Sequence, residues 1–298
     1  MAKSKKKNKL SKEKNELGYG KLFVVGTPIG NMGDITIRAI ETLNTVDLIL
    51  AEDTRQTLKL MRHYNIVKKL ESYHKFNEIE KIDSIVKMLK EGKNIALVSD
   101  AGMPTVSDPG ESLIKALIEE SMDIEVVPGP TALTTAIVYS NLDIGKFAFE
   151  GFLNIKNSRE KKDLLSRLNK EERTIVFYEA PHKLLINLKW LYKELGNRKI
   201  CIARELTKIY EECIYTDLEK AIEMLNEKPL KGEIVCMLEG CSKDSINNMS
   251  DKFAGLSNIK LVEIYVKEGM DKKLAIKKVA KDRNLAKNDV YMECVSND

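Results

Sequence analysis

The chain has 298 residues, 43% of them hydrophobic and 32% charged, which is enough material for about two domain-sized cores. No apolar run approaches the roughly 18 residues of a membrane span, and the lysine-rich start lacks the apolar segment of a secretory signal. Net charge is +4, but residues 1–20 hold seven lysines against two glutamates, so the rest sums to about −1 and overall charge is silent on nucleic acid. Residues 1–20 read either as a phosphate-seeking arm or as a disordered, solvated leader.

In chain order from Lys21, short apolar runs alternate with helical stretches. LFVVG (22–26), DLILA (47–51), NIALVS (94–99) and IEVVP (124–128) read as strands buried on both faces. Between them, Asp34–Thr45, Thr54–Tyr64, Asn77–Glu91 and Pro109–Ser121 carry helix-period apolar positions, and a fifth helix is expected from Pro130. This alternation predicts an α/β domain with a mainly parallel sheet over residues 21–145. FAFEGFL (147–153), TIVFYEA (174–180), KICIARE (199–205), EECIYTD (211–217) and EIVCMLE (233–239) read as further strands. Helices are expected at Ser158–Lys170, Leu184–Leu195 and Leu218–Glu227. The short connection around Glu205–Glu211 makes its flanking strands antiparallel, so residues 146–241 form a second α/β domain with a mixed sheet. Cys241–Ser257 is a polar linker. Residues 258–298 give three short helices, either a helix-turn-helix-like unit or a helical cap. Within them, Lys272, Lys273, Lys277, Lys278 and Lys281 recur at a spacing that puts several on one helix face. The cysteines Cys201, Cys213, Cys236, Cys241 and Cys294 form no CxxC pair and no metal-like grouping with the three histidines. Free thiols in a reducing cytosol are expected, with no metal.

The strongest signal is positional. Each clear N-terminal strand runs into an unusual turn: GTPIGNMGD, AEDTR, SDAGMPTVSDPG and PGPTA. In open α/β sheets the carboxyl ends of strands share one edge, and ligands bind there. Asp108 is expected to cap a helix that begins at Pro109, with Glu111 reaching back, and Asp53 to cap with Gln56. Gly26, Gly30 and Gly33 allow unusual backbone conformations and close approach of a ligand, but their GxxxGxxG spacing is no nicotinamide fingerprint. Asp100 precedes no helix start. A strand-end carboxylate there suits an ammonium or hydroxyl group of a ligand.

Together GTPIGNMGDIT, AEDTR, SDAGMPTVSDPG, PGPTAL, YEAPHK, ARELTK and KGE resemble the small-subunit rRNA 2′-O-ribose methyltransferases. These form a branch of the tetrapyrrole methylase superfamily, the class III methyltransferases. The resemblance runs in order from about Lys21 to Gly240. Met103 stands where the family usually has Thr, and Lys183 where Arg is usual. It implies S-adenosylmethionine in a cleft between the two α/β domains, and a helix-turn-helix domain at residues 258–298. Pro28, Asp100, Gly102, Met103 and Pro104 would hold the methionine end, flanked by Thr131 and Ala132. Tyr178, Glu179, Ala203, Glu205 and Gly232 would shape the adenosine side. Glu205, His182 and Lys208 are the candidates for moving the hydroxyl proton, although His182 also reads as a helix-start cap and Glu205 as a cofactor ligand. The implied activity is 2′-O-methylation of a cytidine in the decoding region of 16S rRNA, by a cytoplasmic homodimer acting on the small ribosomal subunit, without a membrane. A methyltransferase of porphyrin-like rings or of a modified histidine is the alternative within the superfamily. Ring methylases usually carry a GDP-type turn in place of SDAGMPTVSDPG. A non-catalytic RNA-binding protein is the alternative outside it.

Overall fold

The strands of the first half bury both faces because their apolar residues are continuous rather than alternating. In the computed structural model, which describes residues 18–153, 158–241, 256–267, 269–283 and 285–295, they are β1 (Leu22–Val25), β2 (Leu48–Ala51), β3 (Lys69–Ser72), β4 (Ile95–Val98) and β5 (Ile124–Val127). All pair in parallel, in the order β3-β2-β4-β1-β5. Four helices connect them: α1 (Ile37–Thr45), α2 (Thr54–His63), α3 (Glu78–Lys90) and α4 (Glu111–Glu119). The first two connections step toward one edge of the sheet and the next two toward the other, so right-handed crossovers put the helix pairs on opposite faces. Ala39, Leu43, Leu60 and Met61 pack with Val25, Ile49 and Val98. Ile85, Leu89, Leu113 and Leu117 pack with Leu22, Leu48, Leu50 and Leu97 on the other side. The direction reverses around β4, which makes the carboxyl ends of β2, β4 and β1 the topological switch where such sheets bind ligands.

Strand β3 has no counterpart in the sequence reading. KLES is partly exposed along its length and lies at the sheet edge, where a strand needs no apolar run.

A fifth helix, α5 (Ala132–Tyr139), leads into the second sheet. Its strands are β6 (Phe147–Phe152), β7 (Thr174–Glu179), β8 (Lys199–Arg204), β9 (Glu212–Asp217) and β10 (Ile234–Leu238). The order is β6-β7-β10-β8-β9, with β6 and β7 parallel and the rest antiparallel, the mixed sheet expected from the short β8–β9 connection. One face is covered by α6 (Ser158–Leu168), α7 (Pro181–Leu195) and α8 (Leu218–Glu227), through Leu168, Leu184, Leu188, Leu191, Leu218 and Leu225. Against the other face lie Ala136 and Ile137 of α5 and Ile29 from the loop after β1, together with Val176, Ala203 and Val235. Burying each such aliphatic side chain contributes about 1.5–3 kcal/mol, so this layer joins the two sheets. Helix α7 starts three residues before the expected Leu184, because Pro181 suits a first helical position whose N–H has no partner.

The chain divides after Gly240 into two compact units. Within the second, α9 (Asn258–Lys267), α10 (Lys272–Asp282) and α11 (Lys287–Val295) share a core of Leu261, Val262, Tyr265, Ile276, Val279 and Val290. Lys278 sits 4.1 Å over the Tyr265 ring, which ties one of the repeating lysines to α9. Cys201, Cys236, Cys241 and Cys294 are buried free thiols, and Cys213 is half-buried. Among the described residues no helix is long and apolar enough to cross a membrane. Most of the lysine-rich start and of the polar linker lies outside the described residues.

Candidate active site

At the switch, the loop after β1 forms a two-bond bridge to the loop after β4: Thr27 N–H donates to the Gly102 carbonyl at 2.9 Å and Gly102 N–H to the Thr27 carbonyl at 3.1 Å. Gly102 has a φ of +78°, a conformation that glycine adopts without strain. Gly26, Gly30 and Gly33 are not in that region, so the conformational reason expected for them does not hold. Space explains two of them. A Cβ on Gly26 would meet the Gly129 nitrogen at 2.7 Å, and one on Gly30 the Lys208 Cγ at 2.6 Å.

A cavity of about 550 Å³ opens along this edge, within the range of about 300–1,000 Å³ typical of small-molecule sites. The first sheet contributes Glu52, Lys75, Asp100, Ala101, Gly102, Met103, Val106, Ser107 and Asp108, and α5 contributes Thr131 and Ala132. Phe152, Tyr178, Glu179, Gly232, Glu233 and Val235 close it from the second sheet. A neighbouring cavity of about 320 Å³ is lined by Pro28, Gly30, Gln56, Lys59 and Lys208, and shares Ile29, Asp100, Ala101 and Glu233 with the first. Of the sequence-predicted cofactor residues, Asp100, Gly102, Met103, Thr131, Ala132, Tyr178, Glu179 and Gly232 therefore come together around one space. Pro28 lies next door. Pro104 and Ala203 are buried outside both linings.

Local chemistry explains several positions. Asp53 caps α2, accepting from Arg55 N–H at 2.8 Å, and its own N–H donates to Asp100 Oδ1 at 2.9 Å, which locks the ends of β2 and β4 together. Thr131 caps α5, accepting from Thr134 N–H. The Leu133 amide faces the Tyr178 hydroxyl, while burial holds that phenol above its usual pKa. The Tyr178 ring stands edge-on to Phe149 at 5.0 Å and Phe152 at 5.5 Å. A bulge in β6 next to Gly151 accompanies the placement of Phe152 at the cavity. Glu179 is 3% exposed, and its carboxylate accepts from Ala180 N–H at 2.9 Å and Asn187 Nδ2 at 2.5 Å, so both oxygens are engaged inside the protein.

Asp108 corrects the sequence reading. The residue before α4 is Gly110, at a φ of 124° and with no side-chain cap, and Asp108 instead lines the cavity. Burial pushes its carboxyl up to about 6, against the Ser99 hydroxyl and Lys75, with Asp100 adding to the rise. Glu52, which the sequence reading did not single out, is pushed up to about 7 by burial, Asp108 and Asp100, with Lys75 opposing. Burial also raises Asp100, against the Asp53 N–H that lowers it. Nothing in the local spacing of AEDTR or SDPG marks Glu52 and Asp108 as neighbours, because they come from different strand ends.

Of the three proton-transfer candidates, Glu205 and Lys208 are paired and His182 stands apart. His182 is exposed on the first turn of α7, outside both linings, and the residue before that helix is Ala180, so His182 is not its cap. Glu205 also lies outside both linings. It packs on Gly232 and accepts from Glu233 N–H at 2.9 Å and Lys208 Nζ at 3.0 Å; burial would raise it, but these partners hold its carboxyl low. Lys208 lines only the smaller cavity. Burial would lower it, but its bonds to Glu205 and Glu233 keep its ammonium above the usual range.

The model of the Tetrapyrrole (Corrin/Porphyrin) Methylases matches residues 21–222. The chain belongs to the tetrapyrrole methylase family. Relatives in that family include a "Ribosomal RNA small subunit methyltransferase I" of Bacillus subtilis, 44% identical over 93% of this chain and 94% of that one. A protein of the same description from Thermotoga maritima is 47% identical over 74% of this chain and 99% of its own length. The fold is also that of uroporphyrin-III C-methyltransferase from Thermus thermophilus, solved with S-adenyl homocysteine, at a TM-score of 0.54 and 18% identity over 74% of this chain and 97% of that one. Methylase chemistry fits the larger cavity, whose lining is mostly apolar, with Gly102 and Met103 on one wall and carboxylates from both sheets.

Proposed function

We propose that this chain transfers a methyl group from S-adenosylmethionine to small-subunit rRNA, at the ribose 2′-oxygen of a cytidine in the decoding region. The observation that carries the reading is the single cavity that gathers the SDAGMPTVSDPG turn, the start of α5 and the Tyr178 strand. The rRNA substrate follows from the relatives' shared description over nearly the whole chain. The ribose oxygen, the cytidine and the decoding region follow from the motif resemblance, as do the homodimer and the cytoplasmic location. When bound, S-adenosylmethionine supplies an electrophilic methyl on sulfur. Asp100 would hold its ammonium group, the Gly102–Met103 backbone would run beside the methionine chain, and Tyr178 and Gly232 would border the adenosine. These residues act by positioning and by excluding water, the terms that supply most of the rate in an in-line transfer.

Purified chain, small ribosomal subunits and labelled S-adenosylmethionine test this directly. Label should appear as a ribose methyl on one cytidine of the small-subunit rRNA. Subunits left without label, or label on a base, would overturn the assignment.

A further inference from the structure

Moving a methyl onto a hydroxyl requires an acceptor for the hydroxyl proton within hydrogen-bond reach. We propose that Glu52 is that acceptor, a catalytic residue of the reaction read above, on which this inference rests. The step breaks the ribose O–H and the sulfur–methyl bonds and forms the oxygen–methyl bond; the proton ends on Glu52 and the electron pair of the broken S–C bond on sulfur.

The cavity lining carries the choice. Glu179 has both oxygens engaged by Ala180 and Asn187. Asp100 is tied to the Asp53 amide, and Glu233 to Lys208. Burial keeps Tyr178 protonated. Asp108 sits deeper, with the Ser99 hydroxyl beside it. Glu52 alone of these carboxylates lines the cavity with no hydrogen-bond partner among the described residues, half-buried at the end of β2. The charged groups that act on it are Asp108 and Asp100 from the loop after β4, Lys75 from the loop after β3, and Asp53 beside it. The three acids raise its pKa and Lys75 lowers it, leaving it near 7, where a base is both deprotonated enough and basic enough to work.

Glu52→Gln should bind S-adenosylhomocysteine within about twofold of wild type by calorimetry and lose about 10²–10⁴-fold in kcat on small subunits. The wild-type rate should rise with pH through about 7 and then level. Asp108→Asn should move that limb to lower pH and Lys75→Met to higher pH, opposite shifts that a merely structural role would not produce. Carboxyl ¹³C NMR of the chain without substrate should show one carboxyl titrating near 7 that is absent in Glu52→Gln, whatever the activity. Wild-type-like kcat in the folded Glu52→Gln chain, or a Glu52 carboxyl that titrates in the ordinary range, overturns the assignment. A wild-type chain that neither binds S-adenosylhomocysteine nor methylates subunits overturns the functional reading itself.

Discussion

Asp100 has one role in the fold and a second, proposed one toward the cofactor, and one pair of substitutions separates them. Its Oδ1 accepts the Asp53 N–H, joining two strand ends, and its charge faces the proposed ammonium of the cofactor. Asp100→Asn keeps an oxygen for the Asp53 amide and removes only the charge. A hydrogen bond to a charged group contributes about 1.5–3 kcal/mol, and each 1.4 kcal/mol is tenfold, so affinity for S-adenosylhomocysteine should fall about 10- to 100-fold. Stability should not fall with it. Burial raises the Asp100 carboxyl, so the stability tied to its protonated form is complete at low pH and is lost as pH rises through the folded value. Asparagine never ionises, and Asp100→Asn should therefore melt at or above the wild-type temperature at pH 8. Asp100→Ala loses both roles: the same or greater loss of affinity, plus about 0.5–1.5 kcal/mol of stability for the unmet Asp53 amide. Calorimetric titration and thermal melting of both variants decide the matter. A folded Asp100→Asn chain that binds with wild-type affinity would refute the charge argument, and equal melting of the Ala and Asn variants would refute the strand-locking one.

Asn187→Ala leaves one oxygen of the buried Glu179 carboxylate without its donor; it should cost about 1.5–3 kcal/mol and lower the melting temperature by roughly 3–12 °C, with an unchanged melt as the contrary result. Methylation should be fast on assembled small subunits and slow on a short RNA hairpin of the same sequence, because RNA is recognised largely through shape; equal rates in a side-by-side assay would contradict this. Deleting residues 258–298 should weaken binding to small subunits and flatten its salt dependence, since phosphate contacts set that slope. The same truncation should leave S-adenosylhomocysteine affinity unchanged, because the cavity is lined only by residues before Gly240. Full-length affinity and slope in the truncated chain would mean that the helices bind no RNA.

The sequence by itself determined all but one of the strands and marked the sheet edge along which the cavity opens. Apolar runs such as Leu48–Ala51 can be strands only if both faces are covered, and that need alone predicts the parallel sheet with helices on each side. Turn residues after those strands mark the binding edge, because backbone requirements are local and show in residue types. Strand β3 escaped because an edge strand has no such need. What only the tertiary structure decided is which side chains meet. Asp108 reads as a helix cap from its neighbours in sequence, yet the turn at Gly110 frees it to face Glu52, which lies on another strand end. Glu205 reads as a proton acceptor or a cofactor ligand, yet Gly232 and the Glu233 amide fold over it. Glu179 reads as a ligand, yet Asn187, two turns along α7, occupies its second oxygen. Protonation follows burial and neighbouring charge, and both are set by residues distant in sequence, so the chemistry of the site became legible only when the strand ends were brought to one edge.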